Sequence, residues 1–131
     1  MSKLLTREAI LGTLDLEREE VEVPEWGGKV LIQTMDGASR DHMDMKVYED
    51  MAAGEAGTEN FRARLLAYTI VDRDGNRLFS YNDIAALGKK SSSALRRCYD
   101  VAKRLNRITD EDVEEAKQNL SPTPDGASTS G

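Results

Sequence analysis

The chain has 131 residues, 32% charged and 39% apolar, with a net charge of −6 and an isoelectric point near 4.9. These totals fit one domain with a modest core and a wet surface; no apolar run nears the roughly 20 residues a bilayer span needs, and the acidic sum argues against a duplex-binding domain, which carries a basic excess. A single cysteine, Cys98, excludes an internal disulfide and points to a reducing, cytoplasmic setting.

"MSKLLTREAI" lacks an extended apolar segment with a cleavage site, so no secretory signal is expected. Thr6 can start a short helix in "LTREAILG", but no clean period holds as far as Glu20, and residues 1–20 read as a partly ordered segment. "VEVPEWGGKVLIQT" reads as a β-hairpin over 21–34. A two-residue Gly27-Gly28 turn sets Val23 opposite Ile32 and Val21 opposite Thr34. Val21, Val23, Val30 and Ile32 then share one face. Pro24 belongs on an edge or at a bulge. A lone hairpin is marginal in water, so this face must lie on helices or on another strand.

Ser39 is a candidate N-cap for "SRDHMDMKVYEDMAA", with Asp41 favourably placed for the helix dipole. Met43, Val47, Tyr48 and Met51 make an apolar stripe there, and "GEAG" ends the helix. Thr58 can cap "ENFRARLLAYTIV", with Phe61, Leu65, Tyr68 and Ile70 facing inward.

"VDRDGNRLFSYND" has two readings. Counted from Asp72, oxygens fall at positions 1, 3, 5 and 12 of a calcium loop. Such a loop also needs Gly at position 6 and a bidentate Glu at position 12. Here those positions hold Arg77 and Asp83. The alternative is an Asp-Gly turn at Asp74-Gly75 or Gly75-Asn76, a short extended "RLF", and a capping box in which Ser80 and Asp83 satisfy each other's backbone. Phe79 and Ile84 are the staple pair of the same start, and Gly88 stops the helix. The structural turn is the better reading.

"SSSALRRCYDVAKRLNRI" is the clearest helix. Ser91 to Ser93 offer N-caps, and Leu95, Cys98, Tyr99, Ala102 and Leu105 form one stripe. Arg96, Arg97, Lys103, Arg104 and Arg107 lie mostly off it. Acidic stretches flank this basic helix in sequence, which points to neutralisation within or between chains. Thr109 to Asp112 is a further capping box, opening a helix with a thin stripe of Val113, Ala116 and Leu120. Residues 121–131, "SPTPDGASTSG", read as a disordered tail. The sum is a mainly α protein with a small N-terminal β-hairpin (α+β), a compact helical single domain over 21–120.

Chemistry-bearing residues are sparse. His42, an exposed first-turn residue, and Cys98, a small core residue, offer no zinc spacing. "EWGGK" and "AAGEAG" lack phosphate-cradling patterns. No metal, cofactor or catalytic group is expected, and the chain does not read as an enzyme. "FSYNDIAALGKKSSSALRR" is laid out like a helix-turn-helix, but the acidic balance favours an ordinary helix corner. Met45 lies off its helix stripe and suits a contact surface, whereas Met51 and Met43 suit the core. Trp26 either anchors a partner or closes its turn over the core.

Taken in order, "EEVEVPEWGGKVLIQTMDGASRD" and "RARLLAYTIVDRDGNRLFSYNDIAALGKKSSSALRRCYDVAKRLN" resemble the tail assembly chaperones of long-tailed bacteriophages. The "VPEWGG" hairpin, the "VD-x-DGN-x-LF" turn, the "S-x-x-D-hydrophobic-x-x-L" helix and "KS-x-x-x-L-x-R" follow one another between about Glu19 and Asn106. The Ser triplet at 91–93 and the polar tail depart from the pattern. The resemblance implies a non-enzymatic factor of the host cell cytoplasm, absent from the mature virion. Such a factor coats the tape measure protein and brings tail tube protein to it; many have a longer form made by ribosomal frameshifting. Weak homo-oligomers would line one long client by avidity. Trp26, Met43, Met45 and Met51 are the expected contact residues, with Arg96 and Arg97 pairing with acids on a neighbour or client. The alternatives are a small DNA-binding regulator and a structural virion component.

Overall fold

The computed structural model describes residues 2–54, 60–109 and 111–112. The expected Thr58 cap, the helix with Val113, Ala116 and Leu120, and the tail at 121–131 lie outside the described residues. Elements run α1 (Arg7–Gly12), β1 (Arg18–Val23), β2 (Gly28–Gln33), α2 (Gly37–Ala52), α3 (Phe61–Thr69), β3 (Ile70–Val71), α4 (Ile84–Leu87) and α5 (Ser92–Leu105). The chain is mainly helical with a small sheet towards its N-terminus, as its residue pattern implies.

The hairpin forms, but with a different turn. Pro24 opens a 3-10 turn, Pro24–Trp26, in which its missing N–H costs nothing. Gly27 closes the turn at φ +75°, a conformation open to glycine. Four residues therefore connect the strands instead of two. Val21 pairs with Val30 and Val23 with Gly28, so the Val21–Thr34 and Val23–Ile32 pairs are absent. The displacement is four residues. An even slip leaves every side chain on its own face, and Val21, Val23 and Ile32 are buried as the alternation requires.

A third strand covers the other edge of β2. Ile70 and Val71 leave α3 in extended conformation and pair antiparallel with Ile32 and Leu31. The sheet order among the described residues is β1-β2-β3. The exposed edge strand β1 carries Arg18, Glu19, Glu20 and Glu22, charges that discourage further pairing.

Helix α3 is central. Ala63 to Thr69 are all buried, so it has no polar face, in contrast with the one-sided stripe its residues imply. Helix α5 packs against α3, β1 and β2. Its stripe is the expected one: Leu95, Cys98, Tyr99, Ala102 and Leu105 are buried, joined by Ala94. Burial pushes the Cys98 thiol up to about 11. Ser91 caps α5 by accepting the Ala94 N–H at 3.3 Å, and Lys103 and Arg104 sit in the last turn, where cations favour the helix dipole. Asn106 then joins α5 to the sheet: its Oδ1 accepts the Met35 N–H at 2.8 Å.

The Asp72 stretch is a structural turn. Asp72 Oδ1 accepts the N–H groups of Asp74 and Asn76, each at 2.9 Å. Gly75 takes φ +88°, the left-handed region the turn requires. The Asp83 carboxylate accepts the Ser80 N–H at 2.8 Å, an arm of the expected capping box. Residues Tyr81–Asp83 form a 3-10 turn leading into α4, and the Gly88 N–H closes that helix on the Ile84 carbonyl at 2.9 Å.

Thr6 starts α1 as expected, accepting the Ala9 N–H at 3.1 Å. Helix α2 begins at Asp36 instead of Ser39: the Asp36 carboxylate accepts the Ser39 N–H at 2.7 Å. Aspartate before Gly-Ala-Ser outcompetes the serine because a charged acceptor makes the stronger bond to an orphan N–H.

Candidate functional site

The expected contact residues fall into two groups. Met43, Met45 and Met51 are on α2. Trp26, Arg96 and Arg97 surround the hairpin tip and the start of α5. Met43 and Met51 are half-buried, with Met43 packed on the core, while Met45 is 58% exposed. Tyr48 leaves the expected stripe and is 75% exposed. Met45 and Tyr48 thus present an apolar outer face on a helix that buries none of its residues.

What holds α2 down is mostly polar. Asp50 accepts a hydrogen bond from Arg64 Nη2 at 2.7 Å and from Tyr81 Oη at 2.7 Å. Lys46 Nζ lies 4.8 Å from the centre of the Tyr81 ring, within cation–π range. One turn earlier, His42 Nδ1 lies 2.7 Å from Tyr68 Oη, and Arg77 stacks on the Tyr68 ring at 4.1 Å. His42 is therefore in the second helical turn with a specific partner, although the residue as a whole is exposed. Burial alone pushes the Asp50 carboxyl up, but the Tyr81 and Arg64 hydrogen bonds more than offset this and hold it below its ordinary value. The Tyr81 hydroxyl is pushed up by its bond to Asp50 and by burial. Arg64 Nε and Nη1 are buried with no partner among the described residues. The clue in the sequence was an arginine inside the apolar run "FRARLLAYT", which demands an acid from elsewhere.

Two arginines of the basic helix pair with acids of the hairpin in the same chain. Arg97 pairs with Glu25, and Arg104 pairs with Glu19 at 2.6 Å. Ser93 Oγ donates to the same Glu25 at 2.7 Å. The hydrogen bonds from Arg97 and Ser93 lower Glu25 to about 2. Arg96 faces outward, 4.0 Å from Asp100. Glu25 thus sits over the first turns of α5, where a recognition helix would present itself to DNA phosphates.

Two further apolar features stand out. Leu4, Leu5, Ile10, Leu11, Leu14 and Leu16 are all exposed, Leu4 at 98% and Leu14 at 100%. No residue of α1 is buried. Beside the hairpin tip lies a groove of about 710 Å³ lined by Trp26, Leu78, Phe79, Asp83, Ala86, Leu87 and Lys90. Neither feature was singled out by periodicity, because α1 is short and the groove joins residues distant in sequence. Among the described residues, no three His, Cys, Asp or Glu side chains are grouped to hold a metal ion, and no helix is long and apolar enough to cross a membrane.

No family model, curated protein or solved structure matches the chain.

Proposed function

We propose that the chain is a protein-binding assembly factor of the phage tail assembly chaperone kind, covering apolar stripes of the tape measure protein and recruiting tail tube subunits to it. It works by contact, without a reaction, in the host cell cytoplasm, and leaves before the virion is finished. The order and spacing of its segments support the family. The observation that carries the binding role is the exposed apolar surface: six aliphatic side chains between Leu4 and Leu16, and Met45 with Tyr48 on α2. Exposed large apolar side chains grouped in one segment and on one helix turn of an otherwise acidic, wet protein point to an interaction site. Methionine and tyrosine suit a client of varied sequence. A DNA-binding reading is less well supported, since Glu25 places a carboxylate over the start of α5.

Co-expression with the tape measure protein tests the proposal. The client is expected in the soluble fraction with the wild-type chain, and largely insoluble with a Met45→Glu/Tyr48→Glu variant. A client equally insoluble with and without the wild-type chain would end this reading. Recovery of the chain from purified particles would point instead to a structural virion component.

A further inference from the structure

We infer that α2 is a strap that lifts off α3 as a unit while the rest of the fold stays closed, and that lifting it uncovers a methionine-rich apolar face. Use of that face by a client rests on the contact reading above; the lifting does not, and it is tested on the chain alone.

The underside of α2 is a polar stripe beside an apolar one. His42, Lys46 and Asp50 recur at four-residue spacing, which stacks side chains along one helix face. They meet Tyr68, Tyr81 and Arg64 in that order. Met43, Val47 and Met51 each follow one of them in sequence and are only half-buried. Buried apolar contact sets how far an element resists opening by itself. Helix α2 buries none of its 16 residues, whereas α3 buries seven and α5 six.

The seat beneath α2 is also incompletely paired. Arg64 is 6% exposed and gives Nη2 to Asp50. Its Nε and Nη1 are buried with no partner among the described residues. Buried donors left unpaired raise the free energy of the closed form. Lifting Asp50 and its helix away opens Arg64 to water, which offsets part of what breaking the pair costs. Among the described long helices, α2 is therefore the easiest to release. Once free, a helix of 16 residues is marginal in water, so the lifted strap loosens and its amides exchange. Met43, Val47 and Met51 then join Met45 and Tyr48, which are exposed already.

Amide hydrogen exchange on the full chain, followed over a series of low urea concentrations, tests this. Amides from Met43 to Met51 are expected to exchange roughly 100-fold faster than those of α5. Their dependence on urea is expected to be weaker, since a local opening exposes less surface than global unfolding. Asp50→Leu/Arg64→Met replaces the pair and the orphan donors by apolar contact, a change that is often neutral or stabilising. In that variant α2 exchange is expected to slow by about tenfold or more, with α5 little changed. Amides of α2 and α5 that exchange together, with one urea dependence, overturn the inference. So does a folded double variant whose α2 exchange is not slowed. Should that variant not fold, the wild-type exchange decides by itself. Co-expression separates the use from the motion. A double variant that keeps the tape measure protein as soluble as wild type does overturns the uncovered face as the binding surface. If α2 opens and the client is nonetheless insoluble with the wild-type chain, the contact reading fails and the strap stands.

Discussion

Asp50 on α2 and Arg64 on α3 meet at 2.7 Å, with both side chains largely out of water. This pair, together with Tyr81 on the same carboxylate, ties the one long helix without buried residues to the centre of the fold. Helix α2 is thus fixed in place by a few polar groups, leaving its other face for contact. A helix attached this way is strong while its ion pair is intact and weak once it is broken, because the lost partner leaves a buried charge behind.

Asp50→Ala is therefore expected to destabilise the chain by about 3 kcal/mol, the usual order for orphaning a buried charge. Asp50→Asn retains an acceptor for Tyr81 and is expected to lose less. Urea unfolding gives both values. Amide exchange should show protection falling first in α2, ahead of α5. Equal loss in both helices would mean that the pair supports the whole core instead.

The acid limb of stability has identifiable sources. Glu25 is lowered from its ordinary 4.5 to about 2 by the Arg97 and Ser93 hydrogen bonds, and Asp50 also titrates below its ordinary 3.8. A carboxyl whose folded value is depressed stabilises fully above its unfolded value. That contribution is lost as pH falls through the folded value. Stability is thus expected to decline from about pH 4.5 towards about pH 2. In Arg97→Ala, NMR titration should return Glu25 towards 4.5. An unchanged Glu25 titration would show that the pair does not persist in solution.

How far the fold is legible depends on where the deciding information sits. Helix α5 is legible as to its face and its start because its stripe and cap are local, whereas the partners of Arg97 and Arg104 lie on the distant hairpin. Its five apolar positions recur at helical spacing and are all buried. The hairpin is legible as to face but not as to register: alternation fixes the first, whereas the second turns on Pro24 opening a 3-10 turn. Strand β3 is hidden because Ile70 and Val71 continue an apolar helix and become strand only by pairing with β2. The contact residues divide in the same way. Met45 is legible as an outward residue from its spacing. Tyr48 falls on the apparent stripe of α2, yet it is exposed: Met43, Val47 and Met51 of that stripe are half-buried, and the polar groups Asp50, Lys46 and His42 help seat the helix. Those partners come from α3 and the turn before α4, which no local pattern predicts.

Cys98 is fully buried in α5, with its thiol pushed up to about 11. A neutral, enclosed thiol is a poor nucleophile. It is expected to resist a thiol-specific disulfide reagent at pH 8 in the native chain and to react promptly in urea. Cys98→Ser, which places a hydroxyl in this apolar site, is expected to cost about 2 kcal/mol, and Cys98→Ala less. Rapid labelling of the folded protein would mean that α5 opens readily from the sheet.

Gly75 is the hinge of the Asp72 turn. At φ +88° a side chain is strained, and a Cβ there would stand 2.9 Å from Arg18 Nη2. Gly75→Ala is expected to destabilise by about 1–2 kcal/mol through the left-handed backbone. The displaced Arg18 guanidinium adds to that loss, since it otherwise bridges Gln33 and the Arg73 carbonyl. The two parts separate in an Arg18→Ala background, where only the backbone part should remain. Calcium is expected to leave the wild-type unfolding midpoint unmoved, because Asp72 already accepts the turn's N–H groups and Asp83 those of its own cap. Saturable stabilisation by calcium would mean that these carboxylates exchange their backbone partners for the ion, and the turn would then have to be read as a binding loop.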